Sequence, residues 1–295
     1  FHKSPDTNRS WFDVSMSANG QWLPMPAPSQ TWAHSCCSKA SLDSAFRRRD
    51  ITAIEADILM GCISGEGSAP NAEGTPIMAH PPWRVSDLGF EEFWESCLSE
   101  GRHHLKLDFK DLRSLQLCLP KVAASKSRLA EKGQAVWINA DILPGPNRRG
   151  EVCPIPATEF FAALKATCPG VPVSLGWRTA RGFRDAYTAQ DIAAMLDLCQ
   201  GDVSGGTVFA ISARLALRDP EPLLALLRLK PGSQLLLWTG AGEAPLPSWR
   251  FKRLMNAFRS SRDSVGYDCQ VAESYLEGAL REVQEFCTVA LCAWL

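Results

Sequence analysis

The chain has 295 residues, 45% of them apolar, and a formal net charge of −1 at pH 7. That composition supplies a sizeable core and excludes wholesale disorder. The near-zero charge leaves no global basic field for nucleic acid, and no apolar stretch approaches the roughly 20 residues needed to span a bilayer.

Residues 1–29 are polar, with Pro24, Pro26 and Pro28 close together, and read as an irregular N-terminal arm. The chain begins at Phe1 and not at Met, which leaves room for an upstream segment or a removed signal peptide. From Gln30 onward, apolar β-rich runs recur: TWAHS, ITAIEADIL, HHLKLDF, AVWINADIL, VPVSLGW, TVFAISA, QLLLWTG and SVGYDC. Segments with helical spacing separate most of them, among them SLDSAFRRR, LGFEEFWESCLSE, LRSLQLCLPKVAASKSRLAEK and ATEFFAALKATC. Further helical segments are TAQDIAAMLDLCQ, PEPLLALLRLK and FKRLMNAF. Ser41 with Ser44, Asp87 and Thr188 read as N-caps, and Gly133, Gly170, Gly201 and Gly232 close helical segments. Strand–helix alternation eight times over predicts a single (β/α)8 TIM barrel over residues 30–295. A doubly wound open sheet is the alternative, but no G-x-G-x-x-G follows a strand. Residues 61–82 interrupt the repeat with a Gly/Ser-rich loop and a further extended run, TPIMAHPP, read as a loop and hairpin inserted after the second strand. The terminal CTVALCAWL reads as the packed end of a helix.

Eleven cysteines are scattered over apolar contexts with no C-x-x-C pair. They read as buried free thiols, although a disulfide or two would suit a secreted protein. Cys36 or Cys37 beside His34 offers a thiol nucleophile as a minor alternative.

The chemistry-bearing residues fall in or beside the apolar runs. A strand sends residues i and i+2 to one face. Glu55 and Asp57 therefore share a face, as do Lys106, Asp108 and Lys110. Carboxylates in an apolar strand are costly to bury without compensation. Three hard oxygen donors, Glu55, Asp57 and Asp108, suit Mg²⁺ or Ca²⁺. In a (β/α)8 barrel the chemistry lies at the C-terminal ends of the strands, where His34, Asp108, Lys110, Asn139, Asp141 and Trp177 are expected. His34 and His80 form an acid–base pair in this reading, with roles left open. Lys106, Lys110, Asn139, Trp177 and Arg178 are candidate substrate contacts, with Arg214 a further phosphate candidate. Each also has a structural alternative: ion pairing for the lysines, turn capping for Asn139 and Asp141, packing for Trp177.

This series resembles the phospholipase C-like phosphodiesterase barrels, including glycerophosphodiester phosphodiesterases and spider-venom type phospholipase D enzymes. Their first-strand His, second-strand E-x-D, loop His and third-strand acid-x-Lys correspond to His34, Glu55 with Asp57, His80, and Asp108 with Lys110. The chain is more closely similar to the menorin family. TWAHSCCSKASLDSA, IEADIL, PIMAHPP, LKLDFK, VWINADILPGPN and VSLGW carry that likeness between about Gln30 and Gln270. The resemblance implies a phosphodiesterase-like barrel, a divalent metal, and a small phosphodiester substrate of the glycerophosphodiester or lysophospholipid class. It also implies an alternative: an extracellular binding protein without catalysis, acting on a protein partner. The compartment stays open, with the resemblance pointing outward from the cell. Two departures from the phosphodiesterase pattern bear on substrate geometry: Ser35 stands where an Arg usually follows the first His, and Pro81-Pro82 follow the second.

Overall fold

The computed structural model describes residues 21–65, 74–180, 185–199 and 205–272. Ten strands are present among the described residues: β1 (Trp32–Ala33), β2 (Ala53–Ile63), β3 (Thr75–Met78), β4 (Val85–Ser86), β5 (His104–Phe109), β6 (Val136–Pro144), β7 (Val173–Arg178), β8 (Thr207–Ser212), β9 (Gln234–Trp238) and β10 (Val265–Asp268). Eight of them run parallel in the order β1-β2-β5-β6-β7-β8-β9-β10. Helices lie between them, so the chain folds as a (β/α)8 barrel. β2 is long because it serves partners both inside the barrel, β1 and β5, and beyond it, β3 and β4. Its first half pairs with β5, and its second half extends past the barrel rim to hold β3 antiparallel and β4 parallel.

The helices form where one apolar stripe can pack on the sheet. Phe90, Phe93, Trp94, Cys97 and Leu98 of Phe90–Glu100 are buried, as are Leu115, Cys118, Leu119 and Val122 of Leu112–Ala124. Several local expectations shift. The first helix, Lys39–Arg47, is capped by Ser38 through a reciprocal box with Ser41, not by Ser41 with Ser44. Phe90–Glu100 is capped by Gly89, and Asp87 instead accepts from the Lys39 backbone N–H. The long helical segment after β5 breaks at Ser125 into Leu112–Ala124 and Lys126–Lys132, where the Trp94 indole N–H donates to Ser125 Oγ at 3.0 Å. Thr188 caps its helix through a reciprocal box with Asp191. Gly201 and the terminal CTVALCAWL fall outside the described residues.

Two apolar regions hold the barrel. The larger joins the outward faces of the strands to the helices. The smaller fills the N-terminal floor with Met25, Ala27, Trp32, Ala53, Ala135, Trp137, Val208 and Leu236, and its Trp32 and Trp137 rings lie 5.6 Å apart. The end of the N-terminal arm thus seals the floor. Ala27 N–H donates to Gln234 Oε1 at 2.6 Å, and the Ala27 carbonyl lies where a Cβ on Gly266 would be. Among the described residues no backbone ladder joins β1 to β10. The arm therefore closes the lower part of a seam that the sheet leaves open.

Two outcomes follow. Gly266→Ala forces the Ala27 backbone aside and destabilises the fold by about 1–3 kcal/mol, the usual range for overpacking, read from the urea midpoint. The second concerns His104, whose Nδ1 accepts from the Ala135 N–H at 3.0 Å and so needs a free lone pair. Burial, with a smaller contribution from His103, lowers its pKa from 6.5. A histidine depressed in the fold contributes stability above its unfolded pKa, which is lost as pH falls through that value. The melting temperature therefore drops as pH falls below about 6.5, and His104→Gln, which cannot take up a proton, flattens part of that drop.

Candidate metal centre at the barrel mouth

The inward face is set by strand parity. Glu55 aligns with Lys106, and Asp57 with Asp108 one layer nearer the mouth. Asp108 aligns with Asn139, and Asp141 with Gly176. Glu55, Asp57 and Asp108 each bring a carboxylate oxygen within 4.8 Å of the others, and all three are buried.

Two lysines thread this cluster. Lys106 Nζ lies 3.5 Å from Glu55 Oε1 and 3.6 Å from Asp108 Oδ2. Lys110 Nζ bridges Asp57 Oδ1 and Asp108 Oδ2, 2.9 Å from each. Lys110 is held in place by its neighbourhood. Its N–H donates to Ile58 O, and the next residue, Asp111, accepts from Met60 N–H while capping the following helix through Ser114 N–H.

His34 follows directly after β1. Its Nδ1 lies 2.6 Å from Asp268 Oδ2 on β10 and 3.8 Å from Glu55 Oε2. The mouth end of the open seam is thus bridged by a side-chain pair. Ser35 adopts φ 57°, unusual for a residue with a side chain. That turn aims its N–H at Glu55 Oε2, 2.7 Å away, and its hydroxyl at Asp57 Oδ2, 3.4 Å away. His80 arrives from the other side. Ala79 N–H donates to the Asp57 carbonyl, and Met78 N–H to Leu88 O, so β3 returns His80 toward the mouth. Its Nδ1 is 2.6 Å from Pro81 O.

Charge decides the electrostatics. Burial alone would depress His34, but Glu55 and Asp268 outweigh it and raise its pKa to about 9. Asp108 is held well below the usual carboxylate range: burial opposes ionisation, yet Lys110 and Lys106 overcome it. Burial raises Asp57 and Asp141, with Lys110 only partly offsetting it. Both lysines are raised despite burial, Lys106 by Glu55 and Asp108, and Lys110 by Asp108 and Asp57. Counting Asp268, five carboxylates face three cationic side chains, Lys106, Lys110 and His34.

The structure brings Glu55, Asp57, Asp108, Lys106, Lys110 and His34 together, with Asn139 beside Asp108. It does not bring Trp177 in. That ring lies one residue past inward-facing Gly176 and packs outward, 5.3 Å from Tyr187 and 6.2 Å from Phe209. Trp177 is a core residue, and the expectation of a substrate contact is corrected by strand parity. Arg178 braces the loop after β6 instead, pairing with Glu151 at 3.1 Å and donating to Val152 O. Arg214 pairs with Glu243 at 3.1 Å. The nine described cysteines are free. Burial pushes the Cys36 thiol up to about 12, and burial with Asp57 drives Cys37 higher, which disfavours a thiolate nucleophile.

One residue, Asp268, was missed in the sequence, and Asp141, expected at the strand ends, was given no part in the acidic cluster. Asp268 partners His34; its signal was an acid at the end of the last apolar run, the same placement that marked Asp108. Asp141 is a fourth carboxylate facing inward, and it fits because Gly176 opposite it has no Cβ to collide with its Oδ1.

The Menorin N-terminal domain profile matches residues 29–272, the whole barrel as described. The chain is also 32% identical to human Protein FAM151B over 216 residues, which is 72% of this chain and 73% of that protein. With both the domain and a relative of this coverage in agreement, the chain belongs to the menorin family.

Proposed function

We infer that the barrel mouth is a phosphodiesterase site of the phospholipase C-like kind, dependent on a divalent cation. The observation that carries this reading is the convergence of Glu55, Asp57 and Asp108 beside a histidine held cationic. A cation fits the residues present. Asp108 Oδ1 is buried with no hydrogen-bond partner, and the donors are hard oxygens in a setting short of positive charge. Glu55, Asp57 and Asp108 would hold Mg²⁺ or Ca²⁺, which when bound neutralises charge growing on a phosphoryl group.

The protein's own groups divide the remaining work. His34 donates Nδ1–H to Asp268 and stays protonated near neutrality. It is suited to protonate the departing alkoxide through Nε2. His80 donates Nδ1–H to Pro81 O, which leaves Nε2 as the ring nitrogen to accept a proton. It is suited to take the proton of the attacking hydroxyl. Where that hydroxyl belongs to the substrate, its oxygen bonds to phosphorus as the leaving alkoxide departs, and a cyclic phosphate results. Lys110 supplies fixed positive charge beside Asp108, and Asn139 orients Asp108. The substrate is a phosphodiester of the glycerophosphodiester or lysophospholipid class.

A second reading keeps the barrel as a binding scaffold for a protein partner. Its support is that Lys106 and Lys110 already tie Glu55, Asp57 and Asp108 into ion pairs, and that Ser35 and Pro81 depart from the phosphodiesterase pattern.

Two measurements discriminate. With Mg²⁺ or Ca²⁺ at about a hundred times its Kd, the wild type gains about 2.7 kcal/mol in stability by mass action, and Asp57→Asn loses that increment. A panel of glycerophosphodiesters and lysolipids, followed by phosphorus NMR, yields a cyclic or monoester product. His80→Ala lowers the rate by about 10²–10⁴-fold, the usual contribution of a general base, with the melt unchanged because that ring is exposed. His34→Ala is equally slow but also less stable, since it strips Asp268 of its partner. Cation stabilisation without product across the panel would favour the scaffold.

A further inference from the structure

We propose that the rim of the barrel mouth docks on the surface of an anionic lipid bilayer. Seven large hydrophobic side chains are exposed among the described residues, and four belong to the mouth side. Trp83 and Val85, 73% and 60% exposed, follow β3 on the segment beside His80. Val152, 83% exposed, is in the loop after β6. Trp249, 41% exposed, lies in the first turn of the helix Ser248–Ala257 that follows β9. In a barrel of this class the segments leaving the strands all emerge at the mouth.

Their placement narrows the partner. β2 with its hairpin, β6 and β9 are second, fourth and seventh in the strand order, so the apolar tips are spread round the ring and line no single groove. A peptide or helix could touch one or two of them. A broad, flat, deformable partner touches all three. Tryptophan is the side chain best suited to the boundary between headgroups and acyl chains, where its ring is buried and its N–H stays wet.

The charges beside these tips select the sign of the surface. Arg84, next to Trp83, donates to Met60 O and has no carboxylate partner among the described residues. Arg148 and Arg178 share the single Glu151 beside Val152. Arg250 lies over the Trp249 ring, 5.2 Å from its centroid. Clusters of this kind attract anionic headgroups and are screened by salt. The choice of a lipid over a protein surface rests on the phosphodiesterase reading, because a lysophospholipid substrate would reach His80 and Asp57 from such an interface.

Flotation of the full chain with vesicles tests this without needing turnover. The probes are phosphatidylcholine alone and phosphatidylcholine with one-fifth phosphatidylserine. The expected result is binding to the mixed vesicles that weakens with salt and falls about tenfold or more in Trp83→Ser/Val152→Ser/Trp249→Ser. That variant removes exposed groups only, so it melts like the wild type and cleaves a short-chain soluble phosphodiester equally well. Absence of wild-type flotation, or full retention by the triple variant, would overturn the proposal. A monomer–dimer equilibrium abolished by the triple variant, with no vesicle binding, would also overturn it and assign the rim to a second copy of the chain. Soluble turnover without flotation removes the docking surface alone. Flotation without turnover on any substrate removes the catalytic reading alone.

Discussion

The barrel mouth gathers more carboxyl groups than cationic side chains in a place where water cannot easily compensate the difference. Glu55, Asp57, Asp108, Asp141 and Asp268 crowd three cations, and all five carboxylates are largely withdrawn from solvent. Buried carboxylates persist only when something compensates them. Lys106 and Lys110 serve several acids at once and satisfy none fully, which is why Asp57 and Asp141 remain reluctant to ionise while Asp108 gives up its proton readily. Much of the local architecture follows from managing this imbalance. The left-handed turn at Ser35 spends backbone strain to bring one more N–H to Glu55. Gly176 leaves room for Asp141. Asp111 anchors the segment that carries Lys110.

The same constraint explains the division of the barrel into layers. The floor is aromatic and aliphatic, built on Trp32 and Trp137 and sealed by Met25 and Ala27. The middle and upper layers are ionic. A site of this kind needs rigid support, because charged groups misplaced by an ångström lose most of their mutual attraction in a low-dielectric setting. The parallel ladders from β2 through β7 give Glu55, Asp57, Asp108, Asn139 and Asp141 fixed spacings, and the helices behind them are packed on Trp94, Phe160 and Trp177.

Strand periodicity made much of this legible before any coordinates. Alternation of two in ITAIEADIL and LKLDFK was sufficient to place Glu55 with Asp57 and Lys106 with Asp108 and Lys110. Eightfold repetition of strand and helix was sufficient for the barrel. What it could not supply was register between strands. Trp177 ends an apolar run just as Asp108 nearly does, but only the pairing of Asp141 with Gly176 reveals that Trp177 points the other way. The partnership of Asp268 with His34 was hidden for a related reason: it depends on closure of the ring, which no local pattern encodes. Helix boundaries failed where side chains compete for the same cap, as Ser38 did against Ser41.

The bond between His34 and Asp268 joins residues 234 positions apart. During synthesis the histidine emerges first, and its counter-ion is among the last residues of the barrel to be added. Until then the ring has no carboxylate to fix its tautomer, and the vertical gap between the outermost strands has nothing to clasp it. A product of premature termination could fold most of the parallel sheet and still lack a charged imidazole in the right orientation. The clasp therefore closes only after translation has run through the strand that bears Asp268, a form of self-inspection written into the order of the polypeptide.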